Sequence, residues 1–167
     1  MRRRIQLLIL MSAFAIASLF AIPHFVRVAR QRQFEAAQEI VQSHGGTLSF
    51  DLVDGNYMLA LRGDGASDAA IQTLVPTLKE LPTGFTLLGP GESRQFWVNI
   101  ENASITDAGI DLLCNLEISW LTVTGGTITD ASVARLSCAE ELHAIILNDV
   151  ALSESAVADL RTAKPNA

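Results

Sequence analysis

The feature that most constrains this chain is a repeat in its C-terminal half. Apolar residues recur in the spacing apolar-x-x-apolar-x-apolar-x-x-x-x-apolar, followed by a hydroxyl residue and an acid. One copy runs through Val98, Ile100, Ile105, Thr106, Asp107, Ile110 and Leu113. The next takes Ile118, Leu121, Val123, Ile128, Thr129, Asp130, Val133 and Leu136, and the third Leu142, Ile145, Leu147, Leu152, Ser153, Glu154, Val157 and Leu160. The apolar residue before each hydroxyl–acid pair moves from 105 to 128 to 152, steps of 23 and 24. A period in that range belongs to stacked supersecondary units, none of which buries its apolar faces alone.

Each copy has a simple physical reading. Alternation puts Val98 and Ile100, Leu121 and Val123, and Ile145 and Leu147 on the inner side of short parallel strands. Helical spacing puts Ile110 and Leu113, Val133 and Leu136, and Val157 and Leu160 on helices that face that ladder. The hydroxyl residue is expected to cap the helix start by accepting an orphan backbone N–H, and the acid to complement the helix dipole. A degenerate first copy is carried by Leu59, Leu61, Ala66, Ser67, Asp68, Ile71 and Leu74. The interval from Leu61 to Ile100 is 39 residues, and the excess falls in an insertion at 82–95, with a short strand expected at Phe85–Leu88.

Upstream the chain changes character. Residues 1–4 form a basic flank, and residues 5–22 are an uncharged apolar run. As a helix that run spans roughly 27 Å, close to a bilayer core of about 30 Å, and Phe25 and Val26 extend it. Residues 5–26 are therefore expected to be a membrane anchor. A cleaved signal peptide is the competing reading, with small-x-small sites at Ala13-Phe14-Ala15 and Ala15-Ile16-Ala17. Arg2, Arg3 and Arg4 favour a cytoplasmic N-terminus and a C-terminal domain outside the cytoplasm, although Arg27, Arg30 and Arg32 pull the other way. Residues 27–56 are expected to form a cap. Phe34, Ala37, Ile40 and Val41 make one helical stripe, His44-Gly45-Gly46 ends the helix, and strands at Thr47–Asp51 and Tyr57–Leu61 form a hairpin across Asp54-Gly55-Asn56.

Charge and composition exclude several functions. Residues 33–167 hold all 18 acids against six Lys and Arg, a net charge of −12, which repels phosphate backbones and argues against nucleic acid as a partner. His24, His44 and His143 fall in different elements, so no metal or other cofactor is expected. The four hydroxyl–acid pairs sit one per helix start and are read as caps rather than as acid–base machinery. Cys114 and Cys138 lie on neighbouring units, which leaves a disulfide and two buried thiols both open.

The stretch ITDAGIDLLCNLEISWLTVTGGTITDASVARL resembles leucine-rich repeats of the Leu-x-x-Leu-x-Leu-x-x-(Asn/Thr)-x-Leu-Thr-Asp-x-Gly-Leu kind. Together with the N-terminal anchor, the chain is similar to short membrane-anchored repeat proteins of some bacteria. The resemblance implies an α/β solenoid of three to four units over 57–167, with a parallel strand ladder on the concave face and helices on the convex face. It departs at Ala103, Gly126 and Val150, where such repeats carry Asn, Cys or Thr that bonds the turn backbone.

Concave solenoid faces are the usual binding surfaces. Here Trp97, Asn99, Trp120, Thr122 and Ile146 are expected on that face, with the chain's two tryptophans side by side 23 residues apart. The expected function is a non-catalytic protein–protein interaction module held at the membrane, its protein partner unidentified. The alternative is a structural envelope component, a homo-oligomer that self-associates through the apolar last strand at 144–147.

Overall fold

A computed structural model describes residues 24–51, 53–83, 85–86, 89–90 and 94–164. It is an α/β fold with a mostly parallel sheet. Residues 24–43 are helical (α1), and the turn at Gly45, with φ of 73°, ends that helix. Strand β1 (Thr47–Phe50) pairs antiparallel with β2 (Tyr57–Arg62), as the hairpin reading expects. Helix α2 (Asp68–Lys79) follows, then a small antiparallel pair, β3 (Phe85–Thr86) with β4 (Gly89–Pro90). Three strand–helix pairs complete the chain: β5 (Phe96–Thr106) with α3 (Asp107–Leu113), β6 (Ile118–Thr127) with α4 (Asp130–Cys138), and β7 (Ala144–Asn148) with α5 (Glu154–Ala163). The order in the main sheet is β1-β2-β5-β6-β7, all parallel from β2 onward.

The register follows the repeat. Leu59 lies opposite Val98 and Val98 opposite Leu121, while Leu61, Ile100, Val123 and Leu147 form the next rung. These side chains, apart from the partly buried Leu147 that packs against them, join those of α2, α3 and α4 in one buried cluster, so the helices cover one face of the sheet. In the insertion at 82–95, the strand expected at Phe85–Leu88 is present as β3 over Phe85–Thr86 and pairs with β4, while its last two residues lie outside the described ones. The expected anchor at 5–26 also lies outside them, except for residues 24–26, which belong to α1. No helix among the described residues is long and apolar enough to cross a membrane.

The N-terminal end of the sheet is sealed by aromatic packing. Tyr57 on β2 stacks on Phe96 of β5 at 5.4 Å and lies 4.8 Å from Phe50 of β1 and 6.0 Å from Phe34 of α1, measured between ring centroids. Its hydroxyl donates to the Pro82 carbonyl at 2.8 Å, tying the insertion to the cap. Burial raises the Tyr57 pKa, against the lowering influence of Arg94 and Arg30. Ala37 and Val41 of α1 are fully buried, as the helical stripe requires.

Helices α2 to α5 are capped as their sequences suggest. Ser67, Thr106, Thr129 and Ser153 accept from the N–H groups of Ala70, Ala108, Ala131 and Ala156, at 3.1–3.3 Å. The acids do more than complement a dipole. Asp68 accepts from the N–H of Thr106 at 2.9 Å and from its hydroxyl at 2.5 Å. Asp107 accepts likewise from Thr129, at 2.9 and 2.6 Å, and Asp130 from Ser153, at 2.9 and 2.7 Å. Each carboxylate therefore staples its own helix start to the cap residue of the next unit. Gly109 fits this arrangement, because a Cβ there would collide with the Asp68 carboxylate and with Ile105. At the matching place in α4, Ser132 donates its hydroxyl to Asp107.

These bonds lower the Asp107 pKa, chiefly through the Ser132 hydroxyl and then through the hydroxyl and N–H of Thr129. The Asp130 pKa is lowered by the Ser153 N–H and hydroxyl. A carboxyl group depressed in the folded state stabilises fully above its ordinary pKa of 3.8, and that contribution fades as pH falls below it. Acid unfolding monitored by circular dichroism is expected to be shallower in Asp107→Ala/Asp130→Ala than in the wild type between about pH 5 and pH 2. At neutral pH, Asp107→Ala strands the hydroxyl of Ser132, a residue only 1% exposed, and is expected to cost about 1–3 kcal/mol in urea denaturation. Adding Ser132→Ala should recover part of that loss, because neither partner is then left unpaired.

Candidate functional site: the helix-free face of the sheet

Alternation along the strands sends every second side chain to the face that the described helices leave bare. There β2, β5, β6 and β7 contribute rows in register. Met58, Trp97, Trp120 and Ala144 form one row, Ala60, Asn99, Thr122 and Ile146 the next, and Arg62, Glu101, Thr124 and Asn148 the third. Trp97 and Trp120 are paired residues on adjacent strands, with ring centroids 6.0 Å apart and planes inclined at 45°. Trp120 is 42% exposed, and its indole N–H donates to the Thr122 hydroxyl at 3.1 Å.

A shallow groove of about 700 Å³ runs over this face. Trp97, Asn99, Trp120 and Thr122 all line it. Ile146 lies on the same face beside Thr122 and is 41% exposed, but it flanks the groove instead of lining it. Among the described residues, Glu101 is the one ionisable residue in the lining. One of its carboxylate oxygens accepts from the Asn99 amide at 2.9 Å and the other meets the Arg62 Nε at 3.0 Å. The Asn99 carbonyl oxygen is buried and has no hydrogen-bond partner among the described residues. The surface is thus two indoles surrounded by neutral hydroxyl and amide groups, with charge confined to one margin.

Residues from the cap and the degenerate copy complete the groove and were not expected there. Thr47 and Ser49 of β1 and Met58 of β2 all line it, and Met58 is widely exposed. Met58 was legible in principle, since it precedes Leu59 as Trp97 precedes Val98. Cys114 is half-buried at the end of α3, and the side chain of Cys138 lies outside the described ones, as does the pairing of the two.

No family model matches this chain, and no curated protein or solved structure matches it either. The geometry of the site orders the two indoles by accessibility, and single-tryptophan variants test the order. Trp97→Phe, which keeps Trp120, is expected to be quenched more strongly by acrylamide than Trp120→Phe, which keeps the half-buried Trp97.

Proposed function

We propose that this chain is a non-catalytic protein–protein interaction module, anchored in a membrane through residues 5–26 and built as a short leucine-rich-repeat solenoid. The helix-free face of the sheet is its docking surface. The observation that carries this reading is the Trp97–Trp120 pair, placed on the sheet face that no described helix covers and opening onto a groove. Tryptophan is enriched among residues that dominate binding energy, where a large rigid ring is desolvated at low entropic cost. The neutral hydroxyls and amides around the rings, from Asn99, Thr122, Thr124 and Asn148, suit the backbone of a partner segment laid across the strands. Met58 and Trp120 supply exposed apolar contacts within the groove and Ile146 one at its flank. The solenoid reading is supported by the period of the sequence and by four parallel strands in one register, each followed by a capped helix.

Cross-strand packing of the two rings accounts for only about 0.2–1 kcal/mol of fold stability, so removing both rings should spare the fold. Trp97→Ser/Trp120→Ser is expected to keep its far-ultraviolet circular dichroism and to lose its partner in a crosslinked pull-down of the full chain from its own membranes. Partner recovery equal to that of the wild type, with the fold intact, would remove the docking face from this proposal.

A further inference from the structure

The two inner units and the last one differ sharply in burial. Val98, Ile100, Ile105, Ile110 and Leu113, and likewise Leu121, Val123, Ile128, Val133 and Leu136, are all 4% exposed or less. Their counterparts Ile145, Leu147, Leu152, Val157 and Leu160 are only partly buried. The cause is position. Strand β7 is the last in the sheet, and no described element covers its outer edge or the far side of α5. An uncovered strand edge carries free backbone donors and acceptors, and here apolar side chains accompany it.

The repeat register identifies which α5 residues look out of this end. In every earlier unit the acid after the cap reaches forward to the following unit, and Glu154 holds that position in α5. The backward side is also marked. Ala156, the counterpart of Gly109 and Ser132, is buried, and Arg135 of α4 reaches back to Asp111 of α3 at 3.0 Å. Arg161 follows Glu154 by two helical turns and so shares its stripe, with Val157 between them. The open end of α5 therefore presents an acid in its first turn, an apolar residue in its middle and a base in its last turn.

We propose that this end face binds the same face of a second copy of the chain, across a two-fold axis perpendicular to the sheet. The axis reverses α5, bringing Glu154 of each copy opposite Arg161 of the other, so the charges are complementary twice over. It also pairs the two β7 strands antiparallel about Ile146. Ile145 then faces Leu147 of the second copy on the helical side, and Ile146 faces its own copy on the bare side. Apolar meets apolar on both faces, and the two edges satisfy each other. The groove with the tryptophans remains open in each copy and merges into one longer surface.

Sedimentation equilibrium of the full chain in detergent micelles tests this directly. The wild type is expected to show a monomer–dimer equilibrium. Glu154→Arg and Arg161→Glu are expected each to weaken it by about tenfold or more, since each turns two attractions into two repulsions. The double exchange Glu154→Arg/Arg161→Glu restores both pairs and is expected to return the dimer to near wild-type strength. Trp97→Ser/Trp120→Ser is expected to dimerise unchanged. A concentration-independent monomer would overturn the proposal. So would a dimer that ignores both single reversals, a double exchange no stronger than either one, or a dimer lost with the tryptophans.

Discussion

A carboxylate that accepts two hydrogen bonds from one residue fixes both the distance and the orientation of that residue. Asp68, Asp107 and Asp130 each do this to the cap residue of the next helix, 38, 22 and 23 residues further along the chain. The constraint acts where the geometry is most strained by construction. Parallel strands lie about 4.8 Å apart, whereas helices need about 8–10 Å between axes, so a stack with one helix per strand must reconcile two spacings. The staple does so at the helix N-terminus, locking each helix start to the unit that follows. It also dictates local sequence. The helix position beside the carboxylate must be small or hydrogen-bonding, and it is Gly109, Ser132 and Ala156 in turn.

With the helices stapled to one face, the strands are free to differ on the other. The inner rungs are interchangeable branched and aliphatic residues, while the outer rungs vary from indole to amide to carboxylate. Packing alone does not call for tryptophan at position 120. A β-branched residue there would satisfy the strand without leaving a large ring 42% exposed. The ring is oriented by its indole bond to Thr122 and by its neighbour Trp97, so its presentation is built in advance of any partner. Such preorganisation lowers the ordering cost of association.

The sequence made the periodic features legible, because they depend on residues within one turn or one strand. The α1 stripe, the β1–β2 hairpin, the four helix caps and the alternation that sets Trp97 beside Trp120 are all of that kind. The staple is not. Its partners are 22 to 38 residues apart, and the Thr-Asp pair reads equally well as a cap plus a dipole contact. A second device was visible but displaced by one residue. The place where the turn backbone goes left-handed is Gly63, Asn102, Gly125 and Asp149, with φ between 51° and 81°. These are the residue types that tolerate such a conformation, and they recur with the repeat. The departures from the repeat fall one position later, at Ala103, Gly126 and Val150, of which Gly126 also takes a positive φ, at 97°, and the β5–β6 register shifts at Ala103. The β3–β4 hairpin was hidden for another reason, since Gly89-Pro90 carries no strand signal.

The two ends of the sheet handle exposed edges in opposite ways. At the N-terminal end, β1 runs antiparallel, so no further parallel unit can continue the ladder, and the Phe34, Phe50, Tyr57 and Phe96 cluster fills the space behind it. At the other end the last described strand, β7, runs parallel to its neighbour, and its rung residues are half-buried. The side chain that changes there is the staple itself. Glu154 stands where Asp130 makes its two-point contact with Ser153, and its extra methylene gives it a longer reach. A longer acid at that position suits a charge contact across a gap between two helices better than a bond to the start of an adjoining unit. Its counterpart two turns on is a long base rather than the Ser137 of the unit before.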